Sequence, residues 1–259
     1  MEVHHPHHIP KKLKEYLTEF IMLFAAVTLG FVAENLREHQ IENQRAKEFL
    51  ELFRTEVVRN EKTIDSLMNA GLKPLQVNER LSFKLLTHQK ISSIEIADSI
   101  DMFLFRFSND KRIFELMKNS GSLRLIRDKQ LVEDITSYEI EADMAEMRAF
   151  DQETSQWKEL YHFIVENFPG EMTLRMFRNK IYSGIMKINP ENPQLFEKYT
   201  PEIDSKIIQT VLDDKVKEKL GNYLGQKVTL EKLSFLNYLR VKKKTKPLLE
   251  KIDHYLESN

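Results

Sequence analysis

Along most of the chain, apolar residues recur at steps of three and four within a polar background. The exception is Phe20 to Ala33, FIMLFAAVTLGFVA, fourteen residues without a charge. After this run Phe49, Leu50, Phe53, Val57, Ile64 and Leu67 keep the helical period, so the spacing predicts one uninterrupted helix to about Asn69. Gly71 and Pro74 then read as its stop, and a helix of that length would carry the body about 90 Å from its start. Leu75 to Leu86 reads as a second helix, and Ser92-Ser93 opens a third segment, IEIADSIDMFLFRF. Asp110 is placed to cap RIFELMKNSG, with Gly121 as a left-handed stop. Asp128 starts the longest run, Lys129 to Asn167, with Leu131, Ile135, Tyr138, Ala142, Ala145, Ala149, Trp157, Leu160 and Ile164 among its apolar positions, and Pro169-Gly170 ends it.

Residues 181–201, with Gly184, Pro190, Pro193 and Pro201, read as an irregular connector. A helix from Ile203 to Leu220 follows, punctuated by Gly221 and Gly225. Thr229 then caps a last helix that Pro247 kinks or restarts. The pattern predicts an all-α fold in which an N-terminal transmembrane helix continues into a long stalk helix, followed by an antiparallel helical bundle. The expected divisions are a polar tail at 1–15, a span at 16–33 and a stalk-and-bundle domain at 34–259.

Extended back through Tyr16, the apolar run has eighteen residues, about 27 Å of helix, which nearly matches a hydrocarbon core. It includes Glu19, one turn inside the edge, which reads as an interfacial carboxylate. An interfacial helix or a buried core helix are the alternatives. No small-residue cleavage site follows, so a removed signal peptide is not expected. Lys11, Lys12 and Lys14 precede the run, and Arg37, Arg45 and Lys47 follow it. The count ties, but the leading cluster is denser and closer, which predicts the amino terminus inside and the bulk outside the cytoplasm. Ala26 and Gly30 form a small-xxx-small pair of the kind that lets helices associate in lipid, and Glu19 could bridge subunits there.

Composition narrows the chemistry. Seven glycines and eight prolines in 259 residues leave few turns for sandwiches, barrels or glycine-looped nucleotide folds. Lys and Arg number 39 and Asp and Glu 40, a net charge of -1 that gives no pull toward nucleic acid. With no cysteine, thiolate catalysis and cysteine-ligated metals are excluded. The mean hydropathy of -0.45 averages the apolar run into a polar remainder and describes neither.

His4, His5, His7 and His8 are weak metal candidates in a tail expected to be disordered, and Pro6 prevents helical presentation. Glu159 and His162 form one E-x-x-H, but a di-metal bundle site needs a second copy that the chain lacks. Glu139, Glu146 and Glu153 repeat every seven residues and read as a solvated acidic stripe. Arg240 to Lys246 holds five basic residues in seven and reads as a solvated helix face. No residue qualifies as catalytic, and no cofactor is expected.

The segment Phe107 to Arg127 contains E-L-x-K-x-S-G-x-L-x-L-I, from Glu115 to Ile126, followed by Ile135 and Tyr138. With the His- and Lys-rich lead and the run KKLKEYLTEFIMLFAAVTLGFVAENLREHQIENQR, it resembles uncharacterised single-pass membrane proteins of Bacteroidota over about a third of the chain. The resemblance implies a membrane anchor plus a helical domain and carries no catalytic residues. By its own residues the segment reads as a structural corner, with a ligand-binding elbow as the alternative. Ser120 and Gly121 end one helix, Leu123, Leu125 and Ile126 cross the core, and Asp128 starts the next. The expectation is therefore a non-enzymatic protein of the bacterial inner (plasma) membrane, its bulk periplasmic, that acts as a self-associating scaffold or interaction module. Its expected partners are the lipid bilayer and a second copy or another protein, with no nucleic acid. The alternative is an extracytoplasmic sensor-like domain that binds a small ligand between helices. Against it, only about fifteen residues precede the span, too few for an output module.

Overall fold

A computed structural model describes residues 13–102, 104, 106–176 and 201–258. Its regular elements are helices, with no strand among the described residues, so the fold is all-α as the periodicity requires. The long elements are α1 (Leu13–Leu86), α4 (Lys129–Asn167) and α6 (Asp214–Ser258); the short ones are α2 (Ser93–Ser99), α3 (Arg112–Asn119), a 3₁₀ turn (Ser122–Leu125) and α5 (Pro201–Gln209). A further helical segment covers 170–176.

The expected break at Gly71 and Pro74 does not occur, because α1 runs through both. Proline leaves the carbonyl four residues back without a donor, but that residue, Ala70, is exposed, while Leu75, Asn78 and Leu81 beyond it are buried. Tertiary packing outweighs the local breaker. The same holds in α6, which continues through Gly221, Gly225 and Pro247. Thr229 caps nothing, and its hydroxyl donates to the Gly225 carbonyl at 2.9 Å. Conversely, the helix expected from Ile203 to Leu220 is broken at Thr210–Asp213, and Asp213 accepts from the Lys215 N–H at 2.8 Å to start α6.

Helix α1 ends in a Schellman pattern. Gln89 N–H bonds the Lys84 carbonyl and His88 N–H the Leu85 carbonyl, with His88 itself at φ 51°. Asp128 caps α4 as expected, accepting from Leu131 N–H at 3.1 Å, and Ser92, expected only to open its segment, caps α2 by accepting from Glu95 N–H at 3.2 Å. Asp110 does not cap α3. It takes Arg59 and Arg112 instead, and Glu56 of α1 accepts from Ile113 N–H at 2.6 Å and Phe114 N–H at 3.1 Å.

Cross-links place the elements. Arg54 on α1 meets Asp253 on α6, and Lys242 meets Asp65, so these helices are antiparallel. Lys251 and Lys244 on α6 meet Asp134 and Ser137 on α4, so α6 is antiparallel to both. Residues 100–102, 104 and 106–111 return beside α1 as a strap without regular secondary structure, followed by α3 and the 3₁₀ turn. The result is an up-down-up-down bundle in which the strap takes one descending position. Two hydrophobic cores form. One gathers Phe53, Val57, Phe107, Phe114, Tyr138 and Tyr238, and the other gathers Leu81, Leu85, Ile96, Leu160, Phe163 and Leu224. The stalk expected from the sequence is a bundle helix from Ala46 onward. Only residues 34–45, about 18 Å of helix, lie between the apolar run and the bundle.

Candidate functional site

Three features outside ordinary core packing stand out, beginning with the free half of α1. All the described side chains from 15 to 41 are exposed, and the most apolar stretch of the helix has none of its residues buried. It is the one described helix long and apolar enough to cross a membrane. Phe24 is 62 % exposed and Phe31 76 %. Burying a large apolar side chain is worth about 1.5–3 kcal/mol, so leaving Phe20, Ile21, Leu23, Phe24, Leu29 and Phe31 in water forfeits roughly 10 kcal/mol. Ala26 and Gly30 lie on this exposed half, and a Cβ at Gly30 would meet nothing within 4 Å. Glu19 is exposed there too.

The second feature is the strap. A buried irregular backbone has no ladder to satisfy it, so side chains must. Asn78 brackets Asp101, donating to its carbonyl and accepting its N–H, both at 2.9 Å. Trp157 donates to the Met102 carbonyl at 2.8 Å, and the Tyr238 hydroxyl accepts from Phe107 N–H at 3.0 Å. Asn60 holds the Asp110 N–H and carbonyl and donates to Asn109 at 2.8 Å. Asn109 in turn donates to Glu139 and Asp143, both at 3.0 Å. Burial pushes the Glu139 carboxyl up to about 8 against the pull of Asn109, and Oε1 of Glu139 has no hydrogen-bond partner. Burial likewise raises the Tyr138 and Tyr238 phenols.

A charged layer between the two cores is the third. Lys227 and Glu231 on α6, with side chains 2 % and 4 % exposed, form an ion pair, and Glu153 on α4 accepts from Ser234 at 2.5 Å. Burial raises both carboxyls, partly offset by Lys227. Glu153 Oε2 and Glu231 Oε2 have no hydrogen-bond partner. The layer can hold a proton between two carboxylates and an ammonium, but no group of metal-ligating residues occurs among the described residues.

The acidic stripe is corrected by these observations. Glu139 and Glu153 face inward, and Glu146 accepts from Ser108 of the strap at 2.8 Å. A signal existed: Glu139 lies four residues after Ile135 and three before Ala142, and Glu153 lies four after Ala149, all core positions. The same spacing marks Asn60, three residues after Val57 and four before Ile64, and Asn78, three after Leu75 and three before Leu81; what the sequence could not supply was their partners on the strap. The basic run is divided among neighbours. Lys242 goes to α1 and Lys244 to α4, while Lys243 is exposed. Glu159 lines an open groove of about 810 Å³ with Gln156, Asn222, Gln226 and Thr229; His162 packs edge-on against Tyr161, so the E-x-x-H gathers no further ligands.

The corner forms as its residues suggest. Gly121 adopts φ 71°, Ser120 and Ser122 hydroxyls lie 2.7 Å apart, and Ile126 is buried while Leu123 and Leu125 pack against the first core. Its location was not legible. Ser120, Gly121, Ser122, Arg124 and Leu125 line a groove of about 460 Å³ with Glu38, Ile41, Glu42, Arg45 and Phe49, at the foot of the bundle where α1 emerges. The tail histidines His4, His5, His7 and His8, and the connector apart from Pro201, lie outside the described residues. Among known proteins, no family model, curated sequence or solved structure matches the chain.

Proposed function

We propose that the chain is a single-pass membrane protein whose helical bundle acts as a non-enzymatic interaction module, held close to the bilayer by α1. The observation that carries this reading is the apolar half of α1, exposed throughout in a molecule that otherwise builds two closed cores. Its roughly 10 kcal/mol of unburied apolar surface is recovered by lipid. The denser basic cluster ahead of the span favours the bundle outside the cytoplasm, in the inner membrane of a bacterium. Self-association runs through Ala26 and Gly30, whose small side chains leave a face open to a second helix. The test is alkaline extraction of membranes with a topology reporter fused at Asn259. Retention in the membrane with the reporter outside supports the reading, and release into the supernatant overturns it. Gly30→Leu should lower the oligomer fraction in detergent, and a wild-type monomer would remove the self-association part.

A second reading rests on the open groove between α4 and α6. Its amide and hydroxyl lining suits a small polar ligand, as a sensor-like domain requires. Thermal-shift screening of the full chain with small polar solutes tests it, and no shift across such a set would set it aside.

A further inference from the structure

The corner of the bundle faces the same way as the span, and its charge fits what it would meet there. Resting on the membrane reading above, we infer that residues 118–129 are a docking surface for anionic phospholipid headgroups, which seats the bundle on the bilayer. Counted along α1, Glu38 lies five residues beyond Ala33, about 7.5 Å above the end of the apolar run. Headgroups occupy about 5–7 Å on each side of a hydrocarbon core. Arg124 shares a groove with residues from Glu38 to Phe49, which lie about 7.5–24 Å beyond the end of the apolar run, so the near edge of that groove stands at the level of the phosphates.

Charge supports the same occupant. The corner carries Lys118, Arg124, Arg127 and Lys129 against Asp128 alone. All four basic residues are exposed, and Lys118 reaches only the neighbouring Glu115 at 3.6 Å. No ion pair among the described residues engages Arg124, Arg127 or Lys129. The elements packed beside it do not supply this excess. Residues 34–49 of α1 hold Glu34, Glu38, Glu42 and Glu48 against Arg37, Arg45 and Lys47, one negative charge in excess. The last turns of α6 bring Glu250, which lines a groove with Arg127, together with His254 and Glu257, while Lys251 and Asp253 are taken by Asp134 and Arg54. The corner thus presents three exposed cations, Arg124, Arg127 and Lys129, that no ion pair among the described residues engages, within a Debye length of the bilayer surface. The tight turn at Gly121 presents it, with the Arg124 Nε 3.9 Å from where a Cβ would lie.

The chain has no cysteine, so single labels are clean. Full-length Asn119→Cys, Lys90→Cys and Phe31→Cys would each carry a fluorophore, in vesicles of phosphatidylcholine with or without phosphatidylglycerol. Quenchers would be attached at the headgroup or in the acyl chain. The Asn119 label should be quenched from the headgroup and the Lys90 label, beyond the far end of α1, should not. Adding Arg124→Ala and Arg127→Ala, or omitting phosphatidylglycerol, should cut the Asn119 quenching about fivefold. An Asn119 label no more quenched than the Lys90 label, or one indifferent to both changes, overturns the inference. The Phe31 label separates the two levels: if the acyl-chain quencher fails to reach it, the membrane reading itself fails. If it is reached and Asn119 is not, only headgroup docking fails.

Discussion

Helix α1 is one continuous element in two environments. Its first half shows Phe20, Leu23, Phe24 and Phe31 to the outside, while from Ala46 its polar Glu56, Asn60 and Asn78 are as buried as its Leu50 and Phe53. Hydrophobicity therefore does not sort this helix into inside and outside. In the bundle half, polar side chains are buried because the strap brings backbone that needs them, and each finds a named partner. In the other half, no described residue covers the apolar side chains, which is the arrangement that the proposed bilayer would complete. The difference is between a surface satisfied by the protein and one satisfied by its solvent.

The largest effect should come from separating the halves. Deleting residues 1–33 removes the unburied apolar surface and no core residue, so the remainder should be recovered in solution with an unchanged helical spectrum and melting temperature. An aggregated or unfolded remainder would mean that the apolar half has a protein partner that the bundle needs. Within the bundle, the charged layer should be the costliest to disturb. Lys227→Met strands Glu231 and Glu153 without their ammonium and should cost about 3–5 kcal/mol by urea unfolding. Adding Glu231→Leu should recover much of that loss. A small effect of Lys227→Met alone would show that the layer is hydrated rather than closed.

Glu139 gives a pH signature with a definite sign. Its carboxyl is raised from 4.5 to about 8 by burial, so the folded chain holds a proton that the unfolded chain has released between those values. Stability is full below the unfolded value and falls as pH rises through about 8, with a slope of up to about 1.4 kcal/mol per pH unit from this group. Glu139→Gln keeps an oxygen for Asn109 and cannot ionise, so it should lower that slope when denaturation midpoints are followed from pH 5 to 9. An unchanged slope would place the titration on Glu153 and Glu231 instead.

The all-α class, the extent of α4, the Asp128 cap, the Ser92 opening and the Gly121 turn were legible because each rests on neighbours in sequence. What escaped was set across the bundle. Gly71 and Pro74 failed as a stop because the residues beyond them, Leu75, Asn78 and Leu81, are held in the bundle. The strap was hidden in an apolar stretch, Ile94 to Phe107, that reads as helix until one asks where its carbonyls go. At the candidate membrane-facing site, the corner's residues could be chosen from sequence, but its place against residues 38–49 could not, since more than seventy residues separate them.

The two glycines of α6 measure this tertiary override most finely. In an open helix, glycine to alanine gains about 0.5–1 kcal/mol. At Gly221 a Cβ would lie 2.9 Å from Leu86 Cγ and 3.2 Å from Leu85 Cβ, and the second atom is fixed to its backbone. Overpacking of that kind costs about 1–3 kcal/mol, so Gly221→Ala should destabilise by about 1 kcal/mol net. At Gly225 the nearest atom is the Ser82 hydroxyl at 3.2 Å, which donates to the Gly221 carbonyl at 2.7 Å and has only to give by a few tenths of an ångström, so Gly225→Ala should stay within about 0.5 kcal/mol of wild type. The contrast reads whether α1 and α6 approach at the far end of the bundle as closely as the charged layer and the strap require. If both substitutions stabilise equally, Gly221 is the punctuation its sequence suggests and the upper core is looser than the lower one.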